Sequence, residues 1–571
     1  MQRAIVRHLA FVLAAVMSAF LMLDGLEETS PTEDEWAHLV RGLQFWHGDD
    51  QRLQYAHPPL ANAATALPLA FDDNVPSFSQ LDGWDSATVG RVAYGYLRLD
   101  YDRARGALMR ARTASVGLAL LGLLYAYLWG VSMLGRREGL VLALLLAFHP
   151  TLLAHARHVS TDLPCAVACF IAVGELARHL KGGAPGATWI GVPLGLAAAI
   201  LCKHSGLLLA PMFVIVTAWY GWSGRGRYAG IPAGRRLSGW GSYALFVASI
   251  VLLLVNLAYG WDETGMTVAQ VLRHPEPQYW ISSPYQGAML ETVSPLGWLP
   301  SGLRLPMPYP WLFGVMAVGV QSAQGHPFGS FFGVPNPTGH PAFFPIVCLL
   351  KTPLLHLAGG LVAVGSAWRS RSLPRGTSVM AATALGFLAV AATSSLNMGV
   401  RHVLPVLYLG TVVVASGLCT LWERVRTRSW LLVVGAALLV GPAFVHRVDG
   451  LGYFNVGRTL GHRVCVVGED LGQDRFRFAR WVEARGIEPL YYDTQSRTRA
   501  LEARWAGLEF AELHCGTTIR PGAYAAVHAS RRITIGRGCF SQLVGLEPIA
   551  TFNDHIDIYR LPRAPHRTSA W

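Results

Sequence analysis

"LAFVLAAVMSAFLMLDGLEETSPTEDEW", residues 9–36, joins two kinds of sequence that seldom touch. Leu9 to Leu23 is an uncharged apolar run. Asp24 to Glu35 then carries six carboxylates, three of them consecutive at Glu33, Asp34 and Glu35. Arg3 and Arg7 precede the run and no A-x-A site follows it, so it reads as an uncleaved first membrane helix rather than a signal peptide. An apolar span that hands an acidic cluster to a membrane surface decides the fold class. A solvated acidic loop is the plain explanation of the cluster; a catalytic base held over the bilayer is the sharp one.

The rest of the chain has the same character. With 52% hydrophobic and 14% charged residues over 571 positions, and a mean hydropathy of +0.34, it reads as a polytopic α-helical membrane protein. Apolar runs of bilayer length fall near 5–23, 113–134, 139–156, 162–180, 187–202, 204–222, 240–260, 342–368, 377–394, 402–422 and 430–446, about eleven spans. The formal charge of +12 would suggest nucleic acid in a soluble chain. Here Arg136 with Arg137, Arg178 with Lys181, Arg225 to Arg236, Arg369 to Arg375 and Arg424 to Arg428 share one side with Arg3 and Arg7 if the spans alternate. The positive-inside rule accounts for them, makes that side and the N-terminus cytoplasmic, and leaves no nucleic-acid partner to expect. The opposite side receives loops 24–112 and 261–340 and the tail.

Two domains follow: a membrane domain over 1–446 and a small soluble α/β domain over 447–571. In the tail, "RVCVVGED", "PLYYD" and "GAYAAVHAS" read as buried strands, and "DRFRFARWVEARG" as an amphipathic helix closed by Gly486. The eight cysteines include no C-x-x-C pair, so no metal cluster is inferred. Cys465, Cys515 and Cys539 fall in the external tail, where one pair can be bridged.

Six polar clusters gather on the external side or just within it. They are Asp34 and Glu35 with His38; His57 in "HPPL"; Arg157, His158 and Asp162 in "ARHVSTDLP"; Lys203 and His204 in "CKHSG"; Lys351 in "LLKTPLL"; and Asn397, Arg401 and His402 in "NMGVRHVLP". Singly, each has a bland reading as a solvated face or a snorkelling anchor. Lys351 resists it, since a charge inside an apolar span costs a few kcal/mol and needs a cavity or a partner. Together, carboxylates, imidazoles and cations at one membrane face suit an anionic substrate delivered from the lipid. Lys203, Arg401 and Lys351 can hold a phosphate head group, while a carboxylate takes the proton of an attacking hydroxyl. A base and a leaving-group clamp suffice for inverting single displacement.

The ordered succession "DEW", "HPPL", "TDLP", "KHSGLLL", "KTPL", "NMGVRHVLP", "YFN" and "DLGQD" resembles bacterial glycosyltransferases of the family 39 type. These are relatives of protein O-mannosyltransferases and of lipid A aminoarabinose transferases, and the likeness runs from Met1 to about residue 485. It implies the GT-C membrane fold, a polyprenyl-phosphate sugar donor, and the bacterial cytoplasmic membrane with the tail in the periplasm. It implies Asp34 as the base with Glu35 beside it, Asp162 as the second acidic position, and Lys203, Arg401 and His402 at the carrier phosphate. His57, Arg157 and Asn397 are assigned to substrate binding, and the acceptor to a protein or envelope glycan. Such members read close to "DSNLDWGQDL" where this chain has "VVGEDLGQDR", so Leu471 replaces a tryptophan. No cofactor is assigned, and metal dependence is left open. Carboxylates and histidines of the first loop could hold a divalent ion, although their spacing matches no compact metal motif. A lipid-linked sugar flippase is the rival, and it would show inverted halves with polar breaks near the midplane of both.

Overall fold

The computed structural model describes residues 2–563 apart from 49, 183–184, 276–279, 281–293, 328, 371–375, 426–427 and 466–467. Val6–Leu23, Tyr101–Met133, Asp162–Lys181, His204–Tyr228, Ala233–Ala258 and Val400–Arg424 are long and apolar enough to cross a membrane. Two bent pairs, Arg136–Ala147 with Pro150–Ala156 (64°) and Phe343–Lys351 with Leu354–Ser370 (114°), are broken spans or re-entrant loops. Thr188–Cys202, Thr377–Ala392 and Ser429–Val445 are shorter apolar helices. Each apolar run read from the sequence is represented among these, and the chain is a multi-pass membrane protein.

Two expected straight spans are therefore bent, for a local reason. Pro150 and Pro353 lack an N–H and push the preceding residue out of helical geometry. His149 (φ −78°, ψ 110°) and Thr352 (φ −89°, ψ 125°) are accordingly extended. Lys203 is extended as well (φ −159°, ψ 140°), which separates the helix ending at Cys202 from the one that follows. The span expected from 113 begins at Tyr101 instead, because Asp100 caps it by accepting from the Arg103 N–H at 3.0 Å.

Loop 24–112 is itself folded. Glu35–His47 and Val89–Leu99 pack with the start of Tyr101–Met133 around Trp36, Leu39, Leu43, Phe78, Val92 and Leu97, while Pro59–Thr65 joins them to the membrane core through Ala61. In the tail, five strands run in the order Ala511–Glu512, Leu490–Tyr492, Tyr524–His528, Ile556–Arg560, Ala550–Phe552. The first three are parallel and the last two antiparallel to their neighbours. Phe478 and Val482 of the helix Arg475–Glu483 bury against Tyr492, Ala503, Ile556 and Ile558.

Two of the three expected strands form. The "RVCVVGED" stretch does not make one: Arg463 and Val464 end a short helix, Arg458–Val464, and residues 466–467 lie outside the described set. A short apolar run carries too little periodicity to tell strand from helix. Cys515 pairs with Cys539 in a disulfide, while Cys465 is buried and takes part in none.

The tail grips the acidic loop through backbone groups. The Ser30 and Glu33 N–H groups donate to Gln473 and Leu471 carbonyls, each at 3.0 Å, and the Phe476 N–H donates to Ser30 Oγ at 2.8 Å. Leu471 thus serves this contact through its peptide carbonyl. On the other side the tail meets the "NMGVR" loop, where Gly468 has φ +88° and an added Cβ would lie 2.3 Å from the Met398 carbonyl oxygen. Only glycine permits that approach.

Candidate active site

Four membrane-helix ends converge on one cluster. Asp34 follows the first span, Asp162 opens the helix Asp162–Lys181, Lys203 follows the helix Pro185–Cys202, and Arg401 lies in the short 3-10 turn before Leu404–Val425. Arg401 Nη1 donates to Asp34 Oδ2, and Lys203 Nζ donates to Asp162 Oδ1 at 2.5 Å. Asp162 and His38 lie close enough to act on the Asp34 charge, and Asp34 and Asp162 both act on His402. The Arg401 Nε and His402 Nε2 atoms are buried with no hydrogen-bond partner. A buried N–H without a partner costs about 1–3 kcal/mol, and an anion placed here would relieve it.

Asp34 stays open: its side chain is 43% accessible. Burial in the cluster works against its ionised form, but the Arg401 guanidinium outweighs this and holds the carboxyl below its usual range. His38 sits one helical turn on, its Nδ1 2.9 Å from Asn62 Oδ1, with its ring 4.9 Å from that of His57. Burial, with Arg41 adding to it, pushes the His38 imidazole down to about 4 and that of His57 well below its ordinary value. Both rings are neutral near pH 7. The two prolines of "HPPL" position His57: Pro58 is extended and Pro59 starts the helix Pro59–Thr65.

Glu35 does a different job from its neighbour. Fully buried, it accepts from Arg112 Nε (2.8 Å) and Nη2 (2.7 Å), the Val159 N–H (2.9 Å) and the Thr32 N–H (2.8 Å), with His158 Nδ1 at 3.2 Å. Arg112 and His158, with burial opposing them, hold its carboxyl well below the usual range. Every lone pair is in use, so Glu35 pins the loop and has none free for a proton. Three other expected site residues are likewise engaged. Lys351 pairs with Glu469 and donates to the Leu451 carbonyl at 2.7 Å, in a pair that is 1% exposed on both sides. Arg157 donates to the Arg447 and Asp24 carbonyls. Asn397 accepts from the His340 N–H at 2.6 Å and donates to the Ser394 carbonyl at 3.2 Å.

The structure thus gathers Asp34, His57, Asp162, Lys203, Arg401 and His402, with His38, and spends Glu35, Arg157, Lys351 and Asn397 on the frame. Asp34, Asp162 and Glu35 each carry a cationic partner. Sequence reasoning passed over Arg112, Asn62 and Glu469. Arg112, a charge inside a largely apolar helix, gave the one usable signal.

No family model matches the chain, and no curated protein matches its sequence. Among solved structures it is similar to the oligosaccharyltransferase AglB from Archaeoglobus fulgidus in complex with an inhibitory peptide and a dolichol-phosphate. That likeness has 12% identity and a TM-score of 0.48, covering 88% of this chain and 60% of that one. The chain therefore spans about 60% of the length of that relative. It is also similar to ArnT from Cupriavidus metallidurans in the apo state, with 14% identity, a TM-score of 0.47 and 98% of both chains covered. The same ArnT bound to undecaprenyl phosphate gives 13% identity and a TM-score of 0.46 over 96% of this chain and 97% of that one.

Proposed function

We propose that this protein is a membrane glycosyltransferase of the GT-C kind. It moves a sugar from a polyprenyl phosphate to an acceptor hydroxyl at the periplasmic face of a bacterial cytoplasmic membrane. The observation that carries this reading is the pairing of Asp34 with Arg401 beside Asp162 with Lys203, next to the unpartnered Arg401 Nε and His402 Nε2. A base and a phosphate clamp stand together, and no further reactive group is needed.

In this scheme the donor phosphate draws Arg401 and Lys203 onto its oxygens, and Asp34 loses the guanidinium that lowers its basicity. The acceptor oxygen then attacks the anomeric carbon while Asp34 takes its proton. The bond from that carbon to the phosphate oxygen breaks, and its electron pair leaves with the carrier, where the two cations and His402 meet the developing charge. One displacement inverts the anomeric centre.

An apolar cavity of about 330 Å³ supports a lipid-linked donor. It is lined by Leu196, Ile200 and Phe213, on the two helices that flank Lys203, together with Val247, Val255 and Trp311. An isoprenoid chain fits such walls, with its phosphate toward Lys203. The transporter reading finds less support, since Asp34, Asp162, Lys203 and Arg401 pair at one shared end of their helices. The identity of the sugar, hexose or pentose, belongs to the test. Purified protein in nanodiscs, given a panel of polyprenyl-phosphate sugars and membrane extract, should release free polyprenyl phosphate with one donor. Release with none of them would remove the proposal.

A further inference from the structure

The acidic stretch Asp24 to Glu35 meets much of its counter-charge in the tail. Arg447 Nε pairs with Asp24 Oδ2 at 2.8 Å, Arg480 Nη2 lies 3.5 Å from Glu28 Oε2, and Arg499 Nε pairs with Glu33 Oε2. Asp34 is paired instead from the membrane domain, by Arg401. Residues on both sides of Asp34 are nevertheless held by the tail.

The deepest of these holds closes a ring. Glu502, in the helix Arg497–Trp505, is fully buried. Its Oε1 accepts from Trp36 Nε1 at 2.6 Å, and its Oε2 accepts from Arg475 Nη2. The same Arg475 Nη2 donates to the Pro31 carbonyl at 2.5 Å. Trp36, Glu502, Arg475 and Pro31 thus bracket residues 31–36, with Asp34 inside. The tail also reaches the loop that carries Arg401. There the Val400 N–H donates to Glu469 Oε1 at 3.4 Å, and Gly468 lies against the Met398 carbonyl. One stretch of the tail, residues 468–476, therefore touches the loops of both members of the Asp34–Arg401 pair.

We propose that the tail is a positioning element for this pair, and that Glu502 is the positioning residue for the turn bearing Asp34. The proposal rests on the reading of Asp34 as the base. A general base must stand about 3 Å from the proton it takes, and a misplacement of about 1 Å costs on the order of 10²-fold in rate. A loop dense in carboxylates repels itself and would not keep such a place unaided. Glu502 is sealed from substrate, so it acts through Trp36 and, by way of Arg475, through Pro31.

The test uses the full chain in nanodiscs and the carrier-release assay, with Glu502→Gln, Arg499→Gln, Arg504→Gln and Asp34→Asn beside wild type. In folded Glu502→Gln, kcat should fall by about 10–10²-fold while the donor KM stays near that of wild type. The acid limb of kcat/KM should move to higher pH, because a loosened turn parts Asp34 from the guanidinium that lowers its pKa. Arg499→Gln should move both readouts the same way by a smaller factor. It leaves Glu33, whose side chain is 42% exposed, to the solvent, so it decides the matter should Glu502→Gln not fold. Arg504, on the same helix but paired outward with Glu512, serves as the control, and Arg504→Gln should keep wild-type kinetics. A tail that only lends stability would lower the melting temperature and leave kcat and the acid limb of the folded protein unchanged, and that result overturns the proposal. Asp34→Asn separates the two levels. If it is inactive while the tail variants keep wild-type kinetics, the positioning role alone falls; if it turns over like wild type, the base assignment falls and takes the positioning role with it.

Discussion

Asp34 and Arg401 stand 367 residues apart in the sequence and form one ion pair where the helix ends meet. The pair keeps the proposed base ionised but weak until a competing anion arrives. A donor phosphate is such an anion, so loading the site and activating the base become one event.

Replacing Arg401 exposes that coupling. In Arg401→Gln, burial acts on the Asp34 carboxyl without the guanidinium that outweighs it, so its pKa rises. A carboxylate base works above its pKa, so the acid limb of kcat/KM should move to higher pH. The value on the plateau should fall by roughly 10²–10³-fold as the clamp is lost. A pH profile of both proteins checks this, and an unmoved acid limb would separate Arg401 from the base.

Glu35→Gln should behave as a folding defect. It leaves Arg112 buried at 1% exposure without a counter-charge, a loss of about 3–5 kcal/mol. Thermal melting should show a lower midpoint, while the fraction that stays folded keeps its turnover. A stable protein with no turnover would return Glu35 to the chemistry.

Lys351→Met should destabilise by a similar margin, about 3–5 kcal/mol, because Glu469 is then buried alone. Adding Glu469→Leu should recover most of the loss, a coupling that a double-mutant cycle reads directly. If Lys351 instead touched the donor phosphate, the double variant would stay as impaired in donor binding as the single one.

Acid should loosen the tail through Asp470. Burial pushes its carboxyl up, but His528, whose Nδ1 is 2.9 Å from Oδ2, outweighs this and holds it far below the usual range. Its folded-state value lies under the unfolded one of about 3.9, so its contribution is present in full above that value. The contribution is lost as pH falls toward the folded-state value. Melting temperature should therefore drop below about pH 4, and Asp470→Asn should flatten that slope.

Much of this was legible in the sequence, because apolar run length and the placement of arginines report directly on a bilayer. The gathering of Asp34, Asp162, Lys203 and Arg401 was legible too, as charges that a membrane surface would not otherwise tolerate together. The division of labour between Asp34 and Glu35 was not. The two are adjacent, and what separates them is Arg112, 77 residues on, whose approach depends on how the external lobe packs. Lys351 announced that it needed a partner but could not say that Glu469, 118 residues away, would supply it. The "RVCVVGED" run failed for a third reason, since its few apolar residues fit either period.

The most direct measurement separates donor binding from turnover in Asp34→Asn. The variant should bind a polyprenyl-phosphate sugar at least as tightly as wild type, since Arg401 is freed from its carboxylate. It should release carrier phosphate about 10²–10⁴-fold more slowly. Wild-type rates of release from Asp34→Asn would contradict the assignment of the base and, with it, the account of how the site works.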